Sequence, residues 1–150
     1  MTDLTSFALR KGEYLMADQQ ELLYRQVTIH TWDEVNRRPS SKAFEPVDAD
    51  NGMASYSRES KTTAKLARQH HTTNAKSPSL GVWAVTVQEV ETEGLRAVDD
   101  SQSTPPPGLA QWPPGHCFVD YRHLQSKGEI RTVRAMLLAK ALARQEVPSI

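Results

Sequence analysis

The chain has 150 residues, with 18 Lys and Arg set against 18 Asp and Glu, so its formal net charge is zero. A chain of this length buries roughly 68–70% of its extended surface on folding, enough for a core without metals or staples. The single cysteine, Cys117, excludes an internal disulfide framework. Zero net charge argues against a general polyanion binder.

Asp3, Arg10, Lys11 and Glu13 near the start do not read as a secretory signal. No apolar run approaches the roughly 20 residues of a membrane helix. A cytoplasmic protein without a membrane partner is the expectation. Leu, Ile, Val and Phe supply 30 residues, which points to a modest core and long polar loops.

In chain order, residues 1–21 carry no clean period, and the sequence does not fix whether they are ordered. Leu22 to Ile29 is β-branched and aromatic and reads as a strand. Leu23, Arg25, Val27 and Ile29 lie on one face; Leu22, Tyr24, Gln26 and Thr28 lie on the other. Residues 30–52 form a polar connection with a short strand over Lys42 to Glu45, ending in the turn signal Asn51-Gly52. Met53 to Ser57 follows as a short strand.

Ser60 to His71 turns helical, with Leu66, Ala67 and His70 on one face. Leu80 to Val87 is apolar on both faces and suits the central strand of a sheet. Glu89, Glu91 and Glu93 alternate as a solvated edge running to a turn at Gly94, and Leu95 to Val98 is a further short strand. Residues 99–115 hold Pro105-Pro106-Pro107-Gly108 and Pro113-Pro114-Gly115, a loop long enough to be either functional or disordered.

His116 to Tyr121 returns as a strand. Ser126 to Gln145 is a helix: Ser126 and Glu129 form a capping-box pattern, and Ile130, Val133, Leu137, Leu138 and Ala141 form its apolar stripe. The order fits one α+β domain over 1–150, a small and mainly antiparallel sheet with the C-terminal amphipathic helix packed on one face.

Walker A, GxGxxG, HExxH, paired CxxC and GxSxG motifs are all missing. Three groups of residues remain as candidates. The first is Tyr24, Arg25, His30, Trp32, Arg37, Arg38, Ser40 and Ser41. An inward Arg25 needs an anionic partner, and its guanidinium suits phosphate or carboxylate. In an enzyme Arg25 and His30 would stabilise charge and move a proton, while Arg25, Ser40 and Ser41 would bind the ligand. Otherwise Arg25 is a solvated edge residue.

This strand and serine segment loosely resembles the ADP-ribosyltransferases over residues 24–41. The resemblance implies an Arg on the first strand, a serine motif next and a later glutamate, for which Glu89 is the nearest choice.

The second group is His70, His71, His116, Cys117, Asp120 and His123. These are zinc-type ligands, but without tetrahedral four-ligand spacing, so no metal and no cofactor is expected. Cys117 reads either as a nucleophile or as a small buried hydrophobe.

The third group is the basic side of the last helix: Lys127, Arg131, Arg134, Lys140 and Arg144. Residues 37–76 hold eight basic and four acidic side chains, and 89–100 hold five acidic and one basic, so the neutral total hides two patches of opposite sign. Trp112 between prolines is either a rigid anchor or a lid folded onto the core.

Trp112, Arg131 and Arg134 are therefore the candidate partner contacts. Another protein is the expected partner, with nucleic acid behind it. An interaction or accessory protein is the leading expectation; a phosphate-compound enzyme or binding domain, with a nucleotide as one such compound, is the alternative.

Overall fold

The computed structural model describes residues 7–150, and it is an α+β structure. Among the described residues eight strands occur: β1 (Tyr14–Leu15), β2 (Leu22–Val27), β3 (Trp32–Asp33), β4 (Arg38–Pro39), β5 (Met53–Arg58), β6 (Gly81–Thr86), β7 (Arg96–Asp99) and β8 (His116–Asp120). Three helices accompany them: α1 (Ala64–Asn74), α2 (Val87–Thr92) and α3 (Lys127–Arg144). Six strands form one sheet in the order β1-β7-β8-β5-β2-β6, and β3 pairs with β4 in a separate ribbon. Every pairing is antiparallel.

One face of the sheet carries the core. Leu23, Val27, Ala54, Tyr56, Trp83, Val85, Ala97, Cys117 and Val119 pack there against Val133, Leu137 and Ala141 of α3. Each fully buried Val or Leu of this set contributes about 1.5–3 kcal/mol. The α3 stripe is the one its periodicity gives, with Ile130 and Leu138 at its margins. Ser126 Oγ accepts from Glu129 N–H and so caps the helix. On the opposite face Tyr24, Val82 and Ala84 meet Ala64 of α1, whose first turn is capped by Thr63.

Several elements differ from the sequence expectations. Residues 41–44 form a 3-10 turn instead of a strand, burying Ala43 and Phe44. Glu89 and Glu91 lie on α2, because Thr86 and Glu89 close a capping box that starts a helix after β6. Strand β2 stops at Val27, and Ile29 is exposed in a 3-10 turn.

Strand β6 is an edge strand, not the central one. Its burial has three sources: α1 on one face, α3 on the other, and a bridge from Val147 to Val82 along its free edge. A strand covered in this way reads like a central one. Within the segment 1–21, residues 1–6 lie outside the described residues; the rest supplies β1 and the buried Met16. Among the described residues no helix is long and apolar enough to cross a membrane.

The turn signal Asn51-Gly52 is real. Both residues have positive φ, 51° and 83°, and a Cβ at Gly52 would lie 2.9 Å from Cγ of Arg122. Only glycine fits that approach.

Candidate functional site

Strand β2 pairs with β6 along its whole length but with β5 only at Leu23–Arg58 and Tyr24–Ser57. Beyond Tyr24 the two strands part. Arg25 fills the opening: its Nε donates to Ala43 O at 2.6 Å, Nη1 to Ser55 O at 2.6 Å and Nη2 to Glu45 O at 2.9 Å. Its guanidinium lies 5.2 Å from the centre of the Tyr56 ring. The carbonyl of Ser55, which the parted strand no longer serves, is thus satisfied by a side chain. Among the described residues three of the five guanidinium N–H groups are engaged and two are left over.

A cleft of about 370 Å³ opens at this parting. Tyr24, Arg25, Gln26, Ser55 and Ser57 form its floor, His70, His71 and Asn74 of α1 one wall, and Leu109 and Pro113 of the proline loop the other. A second hollow of about 640 Å³ continues under the proline loop and shares Asp50, Ser55, Leu109, Pro113 and His116 with the first.

His116 stands where the two hollows meet. Its Nδ1 is 2.6 Å from Asp100 Oδ1. A carboxylate only accepts, so Nδ1 carries the proton and Nε2 is the basic nitrogen of the neutral ring. Among the described residues Nε2 has no hydrogen-bond partner. Trp112 stacks on the imidazole with centroids 4.3 Å apart, and its Nε1 donates to Ser103 O at 3.0 Å.

The cleft is mostly apolar in lining, and its few polar groups are only partly satisfied. Gln26 accepts from Ser79 Oγ at 2.7 Å, while among the described residues its buried Nε2 has no partner, nor has the Tyr56 hydroxyl. Burial pushes that hydroxyl up to about 12 and raises the Asp50 carboxyl above the usual carboxylate range. His71 gives Nε2–H to Ser77 O at 2.9 Å, and burial holds its ring below the ordinary histidine value.

Of the residues singled out in the sequence, the structure brings Tyr24, Arg25, His70, His71 and His116 to the cleft but not His30, Ser40 or Ser41. His30 is exposed and bonds Ser77 Oγ; Ser40 joins Thr31 and Ala43 through its backbone ahead of the 3-10 turn. Glu89 is also elsewhere, held by Arg144 at 2.9 Å at the start of α2, so the triplet implied by the ADP-ribosyltransferase resemblance is not assembled from these residues. Trp112 is folded back on His116. Arg134 is paired with Glu45 at 2.8 Å, and Arg131 is exposed along α3.

Cys117 faces the core, fully buried, with burial pushing its thiol well up. That environment suits a small hydrophobe and suppresses the thiolate. Among the described residues no three His, Cys, Asp or Glu are grouped to hold a metal ion.

Sequence reasoning missed the Asp100–His116 pair and the serines Ser55 and Ser57. The length of the proline loop was the available signal. No family model, curated protein or solved structure matches the chain.

Proposed function

We propose that the chain binds a small phosphate-bearing compound, a nucleotide in form, in the cleft over β2 and β5, and that His116 moves a proton on it. The observation that carries this reading is the convergence on one cleft of His116, fixed by Asp100 at 2.6 Å, with Arg25, His70 and His71 from other elements. Clefts of a few hundred Å³ with a few convergent polar groups are the usual form of ligand sites.

Each group has a chemical task. The two spare N–H groups of Arg25 suit phosphate oxygens. His70 adds a donor from the opposite wall. The stacked Trp112 and His116 rings offer an aromatic wall for a base. His116 Nε2 accepts a proton while Asp100 keeps the ring in one orientation and stabilises the imidazolium that forms.

Thermal unfolding followed with ATP, nicotinamide adenine dinucleotide and inorganic phosphate tests the reading, on the native chain and on His70→Gln and His116→Gln. At about 100 times Kd a ligand adds about 2.7 kcal/mol, which raises the midpoint by about 5–10 °C for a chain of this size. The expected result is such a rise with at least one nucleotide, reduced in both variants against their own baselines. No rise with any nucleotide, or equal rises in all three proteins, overturns it.

A further inference from the structure

We propose a second site, next to the cleft and meeting it at Val47: the groove between the first half of α3 and residues 45–52 docks an acidic, apolar-bearing segment of a partner protein. The groove encloses about 840 Å³. Its floor is aliphatic, from Val47, Leu124 and Ile130 over the buried Tyr121, and its rim is cationic, from Lys42, Lys127 and Arg131. Val47 is 55% exposed there.

The charge on the rim is unspent. Arg134 also lines the groove but is paired with Glu45, and Arg122 is consumed by the fully buried Asp120. Lys42, Lys127 and Arg131 make no ion pair among the described residues. The carboxylates facing them are Glu45, already engaged, and the exposed Asp48. A surplus of positive charge around an apolar floor is complementary to glutamate or aspartate interleaved with aliphatic residues.

The wall opposite α3 is rigid. Arg25 holds the carbonyls of Ala43 and Glu45, the Tyr121 hydroxyl donates to Phe44 O, and Arg134 ties Glu45 to α3. A preformed groove spares the ordering cost of binding on the protein's side. From Lys127 to Arg134 the helix rises about 10 Å, the length of about three residues of extended chain. The site therefore fits a short linear segment.

Nucleic acid fits it less well. Single strands bind through aromatic platforms interleaved with cations. Here the Phe7 ring is covered by the Arg122 guanidinium 4.9 Å from its centre, and Tyr121 is 3% exposed.

Fluorescence anisotropy decides the matter with three labelled probes: a short alternating glutamate–leucine peptide, the same peptide with glutamine for glutamate, and an oligothymidylate. The glutamate peptide should bind at least about tenfold more tightly than the glutamine peptide and weaken as salt rises. Lys127→Ala with Arg131→Ala, both at exposed positions, should leave the thermal midpoint unchanged and weaken binding about tenfold. Three results overturn the proposal: no binding of the glutamate peptide up to about 1 mM, no loss in the double variant, or oligothymidylate binding more tightly than the peptide and lost in the same variant. The last would assign the groove to nucleic acid.

Discussion

Asp100 and His116, on opposite sides of the proline loop, meet at 2.6 Å with both side chains nearly fully buried. The loop that separates them is therefore fastened at its ends, and Trp112 from its middle lies flat on the imidazole. The carboxylate fixes the ring's tautomer and its orientation together.

Asp100→Asn separates these two roles. An amide either accepts from Nδ1–H or donates to a bare Nδ1, so it no longer selects one tautomer. The nitrogen chemical shifts of His116 should report the Nδ1–H form in the native chain and a mixture in the variant. Stability should fall by about 1–2 kcal/mol, the difference between a charge-assisted and a neutral hydrogen bond. An unchanged tautomer in the variant would mean that some group other than Asp100 sets it.

Arg25 has a structural task whatever the cleft binds. Arg25→Ala leaves the carbonyls of Ala43, Ser55 and Glu45 without their donor where β2 and β5 part. The loss should be about 3 kcal/mol or more, read as a lower urea midpoint. Arg25→Lys should recover only a small part of it, since an ammonium on a flexible stem cannot reproduce the planar fork. Full rescue by lysine would show that charge, not geometry, is what the parting requires.

How much was legible in the sequence follows from the range of the forces involved. α3, β2, β5 and β8 were legible because their periods and caps are local: Ser126 and Glu129 are three residues apart. The apolar content of β6 was legible too, but not its place in the sheet, because α1, α3 and Val147 bury an edge strand as neighbouring strands would. The α2 helix was missed because alternating glutamates outweighed a capping box at Thr86 and Glu89 that is equally present in the sequence. In the cleft, Arg25 stood out by being charged in an apolar strand. Its pairing with three carbonyls, and the meeting of Asp100 with His116, depend on long-range closure that carries no local pattern.

Arg58 gives the fold part of its acid sensitivity, beside the ion pairs of Glu13, Glu89 and Asp120. It bridges Glu21 at 2.6 Å and Asp99 at 2.7 Å, all three largely buried. Burial alone would raise both carboxyls. For Glu21 the hydrogen bonds from Arg58 and Ser60 outweigh it, and for Asp99 those from Ser101 and Arg58, so both lie below the usual carboxylate range. A carboxyl with a lowered value in the fold takes up protons on unfolding, so its contribution is present above the unfolded value and is lost as pH falls through the folded one. The urea midpoint of the native chain should therefore drop as pH is lowered from about 5 towards 2. Arg58→Gln removes the cation and leaves two buried carboxylates, at a cost of about 3–5 kcal/mol at neutral pH. Burial is then opposed only by the hydrogen bonds from Ser60 and Ser101, so both carboxyls move up from their native positions. Less stability is then linked to keeping them charged, and the urea midpoint of the variant should fall less steeply than that of the native chain as pH is lowered from about 5 towards 2. An equally steep fall in both proteins would show that Arg58 is not what holds these carboxylates charged.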